Sequence, residues 1–361
     1  YQGGHIEYFK FMVDLLAESN CSHIKVFGGG GGTITDEECS ELNNYGIEKI
    51  YSVEDGRLMG LVGMIQNMIE LTLANPSVEI GDVDAAIASG KPEELAQAIS
   101  AIENSQGEIA VAHCDDTTPV IGVTGTGGAG KSSLTDELVR RYLISYPSRS
   151  IAILSVDPSS RRTGGALLGD RIRMNAVQDE RVFMRSMATR RANLATSESV
   201  SDSLNAMRAY GFDCIILETA GIGQSDSAVT DLCDFSLYVM TPEFGAPTQL
   251  EKIDMLDFAD CVVLNKADKK GALDAKREVA KTYQRNHKLF ETDLDEMPVF
   301  LCSASRFGDD GVDKLFNWLM PQLNAFSKQD WSIEGFSGGR KDIPTVIPAD
   351  RMHYLSDIAN A

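Results

Sequence analysis

The chain has 361 residues, 33 Lys+Arg against 53 Asp+Glu and a formal net charge of -20. So acidic a surface argues against nucleic-acid backbones as partners, and no apolar run approaches the roughly 20 residues of a membrane span. Hydrophobic residues make up 43% of the chain, enough for about two domains of roughly 150 residues each.

After the loop-like Tyr1-Gln2-Gly3-Gly4, an amphipathic pattern predicts a helix from His5 to about Ser19. A strand at His23 to Phe27, the run Gly28 to Gly32, a helix near Thr35 to Asn44, a strand at Ile47 to Tyr51 and a helix near Gly56 to Leu73 follow. Two strands cannot close a doubly wound sheet, which takes about five, so residues 1–77 read as its second half. Residues 78–118 are acidic, alanine-rich and helical in two pieces, with a helix start at Lys91-Pro92-Glu93-Glu94, which predicts a linker. From 119 to 325 comes strand, glycine loop and helix, then strands at Ser150 to Val156, Arg181 to Met184, Cys214 to Leu217, Phe235 to Met240, Asp260 to Leu264 and Val299 to Cys302. That order predicts an α/β domain with a mostly parallel sheet and helices on both faces. Residues 326–361 form a polar tail carrying Ile347-Pro348, which ends as though another domain followed. Seven cysteines without a C-x-x-C pair read as reduced thiols. The first residues lack a secretory pattern, so a cytoplasmic protein is expected.

Gly125-Thr126-Gly127-Gly128-Ala129-Gly130-Lys131-Ser132 fits G-x-x-x-x-G-K-[ST], between the apolar strand Val120 to Val123 and a helix beginning at Ser133. Such a loop curls its backbone N–H groups around phosphate, while Lys131 reaches the β- and γ-phosphates and the Ser132 hydroxyl ligates Mg²⁺. Asn265-Lys266-Ala267-Asp268 closes a later strand. A carboxylate at Asp268 accepts from both N1–H and the exocyclic amine of guanine, a pair adenine does not offer, so GTP and GDP are expected rather than ATP. Asn265 would bridge, Lys266 would lie along the base, and in Ser303-Ala304-Ser305 the Ala304 N–H would donate to guanine O6. Glu218-Thr219-Ala220-Gly221 ends the strand Cys214 to Leu217, where a carboxylate holds Mg²⁺ and the Gly221 N–H senses the γ-phosphate. Asp157 and Asp170 are further candidates for the metal shell, and Arg173 for neutralising phosphate charge.

Together, Asp157-Pro158-Ser159-Ser160, Gly169-Asp170-Arg171-Ile172-Arg173-Met174, Glu218 to Ser225 and Asn265 to Asp268 resemble the G-protein chaperones of adenosylcobalamin-dependent acyl-CoA mutases, the methylmalonyl-CoA mutase chaperone family. The segment Glu243 to Ile253 is more like that of fused enzymes, which carry GTPase and mutase in one chain. Tyr1 to Phe9, Val26 to Gly32 and Ile50 to Gly56 resemble the second half of a cobalamin-binding domain, in which Gly28 and Gly29 make room for the nucleotide tail of the cofactor. The order of segments is similar to that of the fused isobutyryl-CoA mutases.

The resemblance implies a Mg²⁺-dependent GTPase that gates adenosylcobalamin loading or protection. Its partner is an acyl-CoA mutase domain that isomerises isobutyryl-CoA and butyryl-CoA, and the full-length protein is implied to be a homodimer. The cobalt-ligating D-x-H-x-x-G motif would precede Tyr1; His5 is expected to be a surface residue instead. Two alternatives are a standalone cobalamin-chaperone GTPase and a nickel metallochaperone GTPase, the latter drawing on His113-Cys114 beside Asp115-Asp116.

Overall fold

Apolar and amphipathic stretches set out two units, Tyr1–Gly81 and Asp82–Ala361, in the computed structural model. It describes residues 4–19, 21–29, 34–74, 82–105, 109, 111, 117–158, 174–189, 195–219, 229–245, 250, 253–333 and 335–336.

The first unit runs α1 (His5–Glu18), β1 (Phe27–Gly29), α2 (Asp36–Tyr45), β2 (Lys49–Tyr51) and α3 (Val53–Leu73). β1 and β2 pair in parallel with Gly28 opposite Ile50. β1 thus starts where the expected strand ends, because it is the glycines that reach the β2 backbone. Both α2 and α3 begin with reciprocal caps, Thr35 with Glu38 and Ser52 with Asp55, each satisfying two N–H groups that a helix start leaves open. Val26, Leu42, Ile47 and Ile50 form a small core against Phe9, Met12, Val13 and Leu16 of α1. His5 is not the plain surface residue expected: α1 packs beside the start of α2, so its Nε2 lies 3.4 Å from Glu38. α3 buries none of its residues; it is broken at Gly60 (φ 63) and exposes Leu58, Leu61, Val62, Ile65, Ile69 and Leu73.

The second unit holds α4 (Val83–Ala88), α5 (Pro92–Ser105), β3 (Val120–Gly125), α6 (Lys131–Ser145), β4 (Ile151–Pro158), β5 (Val182–Thr189), α7 (Ala195–Tyr210), β6 (Cys214–Thr219), β7 (Phe235–Met240), β8 (Cys261–Asn265), α8 (Ala272–Asn286), β9 (Val299–Cys302) and α9 (Asp310–Gln322). The strands make one sheet in the order β5-β4-β6-β3-β7-β8-β9, all pairs parallel. Ile121, Val123, Ile153, Ile216, Leu237 and Val263 meet Leu134, Leu138, Leu315 and Leu319 of α6 and α9. Their alternates Val120, Ala152, Leu154, Leu217, Val262 and Leu264 are buried too. Side chains alternate between faces, so both faces are covered, as parallel sheets require.

The two helices expected to form a linker are instead packed. Leu95, Ala98, Ile99 and Ile102 on α5 are wholly buried, and α5 runs along α7. Arg185 of β5 donates to Ser100 Oγ (2.9 Å) and Glu103 (3.3 Å), and Tyr210 donates to the Gly90 carbonyl (2.8 Å). The acidic composition belongs to the outer faces and masks an apolar stripe at helical spacing.

Arg141 of α6 is fully buried, and its guanidinium donates to Asp313 (2.6 Å), to Glu137 and to the Asp309 carbonyl (3.2 Å). It ties α6 to α9. Beyond α9, Trp331 is also fully buried, edge-on to Tyr146 and under Arg149, with Tyr146 donating to its carbonyl at 2.9 Å.

Candidate nucleotide site

β3 is central in the sheet and delivers the glycine loop at its carboxyl end, beside β6 and β7. Gly125 is forced by this neighbourhood: at φ 140, an added Cβ would lie 1.9 Å from the Val239 carbonyl oxygen. Gly128 (φ 73) and Gly130 (φ 89) also hold left-handed backbone, and Gly130 starts α6. Beside Gly127 and Gly128 lies open space, whereas Ala129 is wholly buried beneath the loop.

The first turn of α6, with Lys131, Ser132 and the exposed Ser133, contains no acidic residue. No side chain of that turn caps its own N–H groups, which with the positive end of the helix dipole suit an anion. Lys131 Nζ folds back onto the Gly125 and Thr126 carbonyls, at 2.9 and 3.4 Å. The ammonium is thereby held over the loop.

Glu218 stands near the end of β6, where Val123 of β3 is its partner, and is only 5% exposed. Its Oε1 accepts from Ser132 Oγ at 2.6 Å and its Oε2 from Thr135 Oγ1 at 3.0 Å. A hydroxyl and a carboxylate in contact are hard oxygen donors of the kind Mg²⁺ takes, so these residues fit that ion. Asp157 is at the end of β4, two residues beyond Ser155, which pairs with Glu218. That register brings the backbone of Asp157 to the same end of the sheet.

On the base side, Asn265 ends β8 almost fully buried and joins three segments. Its Nδ2 donates to the Ala129 carbonyl at 2.8 Å, and its Oδ1 accepts from Ala304 N–H at 3.0 Å. A Cβ at Gly130 would fall 2.5 Å from that Nδ2, so the last loop glycine is required by Asn265. The Ala304 N–H, expected to serve guanine O6, is thus taken by Asn265 in this structure. Lys266 adopts φ 60, Ala267 N–H donates to the Cys302 carbonyl at 3.0 Å, and Asp268 is exposed. Ser303 N–H is held by Asp309 Oδ1 at 3.0 Å, and the same carboxylate caps α9 through Val312 N–H at 3.1 Å.

Burial pushes the Cys302 and Cys261 thiols up, which keeps both protonated and makes them packing groups. Among the described residues no group of three His, Cys, Asp or Glu is placed to hold a metal. Asp170, Arg173, Gly221 and the His113-Cys114-Asp115-Asp116 segment lie outside the described residues. Gly28 has a packing reason to be glycine, because Phe9 and Ile50 stand 2.5 and 2.6 Å from where its Cβ would be; Gly29 is exposed.

Three residues of this neighbourhood escaped the sequence reading: Thr135, Arg141 and Asp309. Thr135 alone had a signal, lying three residues beyond Ser132 on the same helix face. A parallel sheet, a glycine loop running into a helix, and a carboxylate on the adjacent strand define a P-loop nucleotide-binding domain. The chain belongs to the family described as methylmalonyl Co-A mutase-associated GTPase MeaB, whose model matches residues 95–330.

Over 99% of its length the chain is 50% identical to fused isobutyryl-CoA mutase of Geobacillus kaustophilus, and over 100% it is 49% identical to that of Cupriavidus metallidurans. It covers 34% of each of those proteins, so it spans about a third of the length of the relatives it matches.

Proposed function

We propose that this chain binds GTP with Mg²⁺ and hydrolyses it, and that hydrolysis gates adenosylcobalamin loading or protection in an acyl-CoA mutase. In this reading the mutase lies in the same polypeptide, as the fused isobutyryl-CoA mutases suggest, and acts on isobutyryl-CoA and butyryl-CoA in a cytoplasmic homodimer. The first unit would supply half of the cobalamin domain. The observation that carries the GTPase reading is the contact between Ser132 and Glu218 beneath an open glycine loop.

Bound Mg²⁺ would spread the charge developing on the β- and γ-phosphate oxygens. Lys131, held over the loop by the Gly125 and Thr126 carbonyls, would turn to those phosphates and donate to charged acceptors there. The α6 N–H groups bind the β-phosphate, and Ser132 and Glu218 hold the cation side of the site. Asp268, exposed at the end of its loop, accepts from guanine N1–H and the 2-amino group. Asp157, Asp170, Arg173 and Gly221 complete the γ-phosphate end in this proposal.

The test is nucleotide titration by calorimetry with phosphate release measured beside it. Micromolar-range GDP and GTP binding is expected, with ATP at least tenfold weaker on the order-of-magnitude scale of a lost polar pair. Asp268→Asn should move preference toward xanthine nucleotides, and Lys131→Ala should lose affinity and turnover together. Equal affinity for ATP would overturn the guanine assignment. The gating step is tested in the full-length protein, by following cofactor transfer by absorbance with GTP and with a non-hydrolysable analogue; identical transfer would remove it.

A further inference from the structure

We infer that Thr135 is a positioning residue for Glu218, setting the plane of the carboxylate on which Mg²⁺ binding at this site depends. The inference rests on the nucleotide reading above and goes beyond it, because Thr135 lies outside the phosphate-loop motif.

A carboxylate held through one oxygen can rotate about its last side-chain bond and turn its free oxygen away from a cation. Glu218 is held through both. Ser132 Oγ donates to Oε1 at 2.6 Å and Thr135 Oγ1 to Oε2 at 3.0 Å. The two donors are three residues apart on α6, so one rigid helical turn fixes the separation of the hydroxyls and hence the direction of the carboxylate. Thr135 is fully buried and Glu218 nearly so. Water therefore does not replace a hydroxyl lost there, and the Thr135 hydroxyl keeps Glu218 as its partner. Ser132 spends its proton on Oε1 and keeps its oxygen lone pairs for a cation. The Ser132 hydroxyl and Oε1 thus present a hard pair of oxygens whose geometry is set from behind by Thr135.

Thr135→Val keeps the shape and removes the hydroxyl; Thr135→Ser keeps the hydroxyl and removes the methyl group. GDP and GTP affinities are measured by calorimetry across a Mg²⁺ series and in EDTA, with thermal unfolding run in parallel. For Thr135→Val the Mg²⁺ midpoint should rise about tenfold or more, the usual loss when a group orienting a metal ligand is removed, while affinity in EDTA stays as in the parent chain. Thr135→Ser should keep the parent midpoint. Should Thr135→Val fold poorly, Thr135→Ala serves as the hydroxyl-free variant. An unchanged midpoint without the hydroxyl overturns the inference, as does an equal loss of affinity in EDTA, which would mark a packing role only. If the parent chain itself shows no Mg²⁺-dependent guanine nucleotide binding, the GTPase reading fails first and takes this inference with it.

Discussion

In the unit Asp82–Ala361, the central strand β3 has six buried residues in a sheet of seven strands. In Tyr1–Gly81, two strands of three residues accompany a helix of 21 residues that buries none. The larger unit satisfies even a buried guanidinium with two carboxylates and two carbonyls. The smaller one leaves seven large apolar side chains of α3 exposed, Val53 among them. Sequence pattern is alike in both, with apolar periodicity and side-chain caps at helix starts such as Thr35, Ser52, Asp82 and Asp309. What differs is the number of layers available to bury it: capped helices and short strands form locally, but area removed from water decides how firmly they are held.

The largest expected effect comes from Arg141→Ala, which removes the buried guanidinium shared by Asp313, Glu137 and the Asp309 carbonyl. It should cost about 3–5 kcal/mol, seen as a lower urea midpoint for the sheet unit by circular dichroism. Retention of the parent midpoint would mean that the ion cluster contributes little and that the contrast rests on apolar burial alone. Ile99→Ala comes next. A wholly buried side chain on α5 should cost about 2–5 kcal/mol and lower that same transition, whereas a free linker would leave it unmoved.

In the smaller unit, Gly28→Ala drives a methyl group into Phe9 and should cost about 1–3 kcal/mol. Hydrogen exchange should then quicken in residues 5–51 and stay unchanged along β3 and α6; quickening in both would show the units to be coupled. The smallest change is expected from Leu61→Lys on the exposed face of α3, within about 0.5 kcal/mol by denaturant. Binding of an apolar dye should fall in that variant. A large loss of stability would mean that Leu61 is covered in solution.

Most of the nucleotide site was legible because its chemistry is local. Glycines, Lys131 and Ser132 sit in one loop, and Asn265 with Asp268 sits in another. Strand ends could be placed from apolar runs, although β4 and β5 extend several residues further toward the site, to Pro158 and Thr189. Thr135 and Asp309 are different: the three-residue spacing from Ser132 marks the helix face of Thr135, but the partners Glu218 and Ser303 come from distant strand ends. The occupied Ala304 N–H depends on how closely β8 and β9 run together, with Asn265 opposite Cys302. α5 is a separate case. Its stripe Leu95, Ala98, Ile99 and Ile102 has helical spacing, but glutamate and alanine dominate its composition and hide that stripe. Gly28 shows the reverse case, in which a glycine suggestive of a ligand is explained by the phenyl ring of Phe9.

The position of Trp331 has an optical consequence. The chain contains two tryptophans, and Trp331 and Trp318 both belong to the sheet unit. Trp331 packs on Tyr142 of α6 and on Tyr146 just past its end, and the other end of that helix begins at Lys131. Trp318 packs on Phe235 and Phe300 of the sheet. Indole emission, excited at the red edge where tyrosine no longer absorbs, therefore comes entirely from one unit and is silent about the other. A dye on Cys21 or Cys39, which are half-buried in the first unit, would supply a second colour for the region that tryptophan light does not reach.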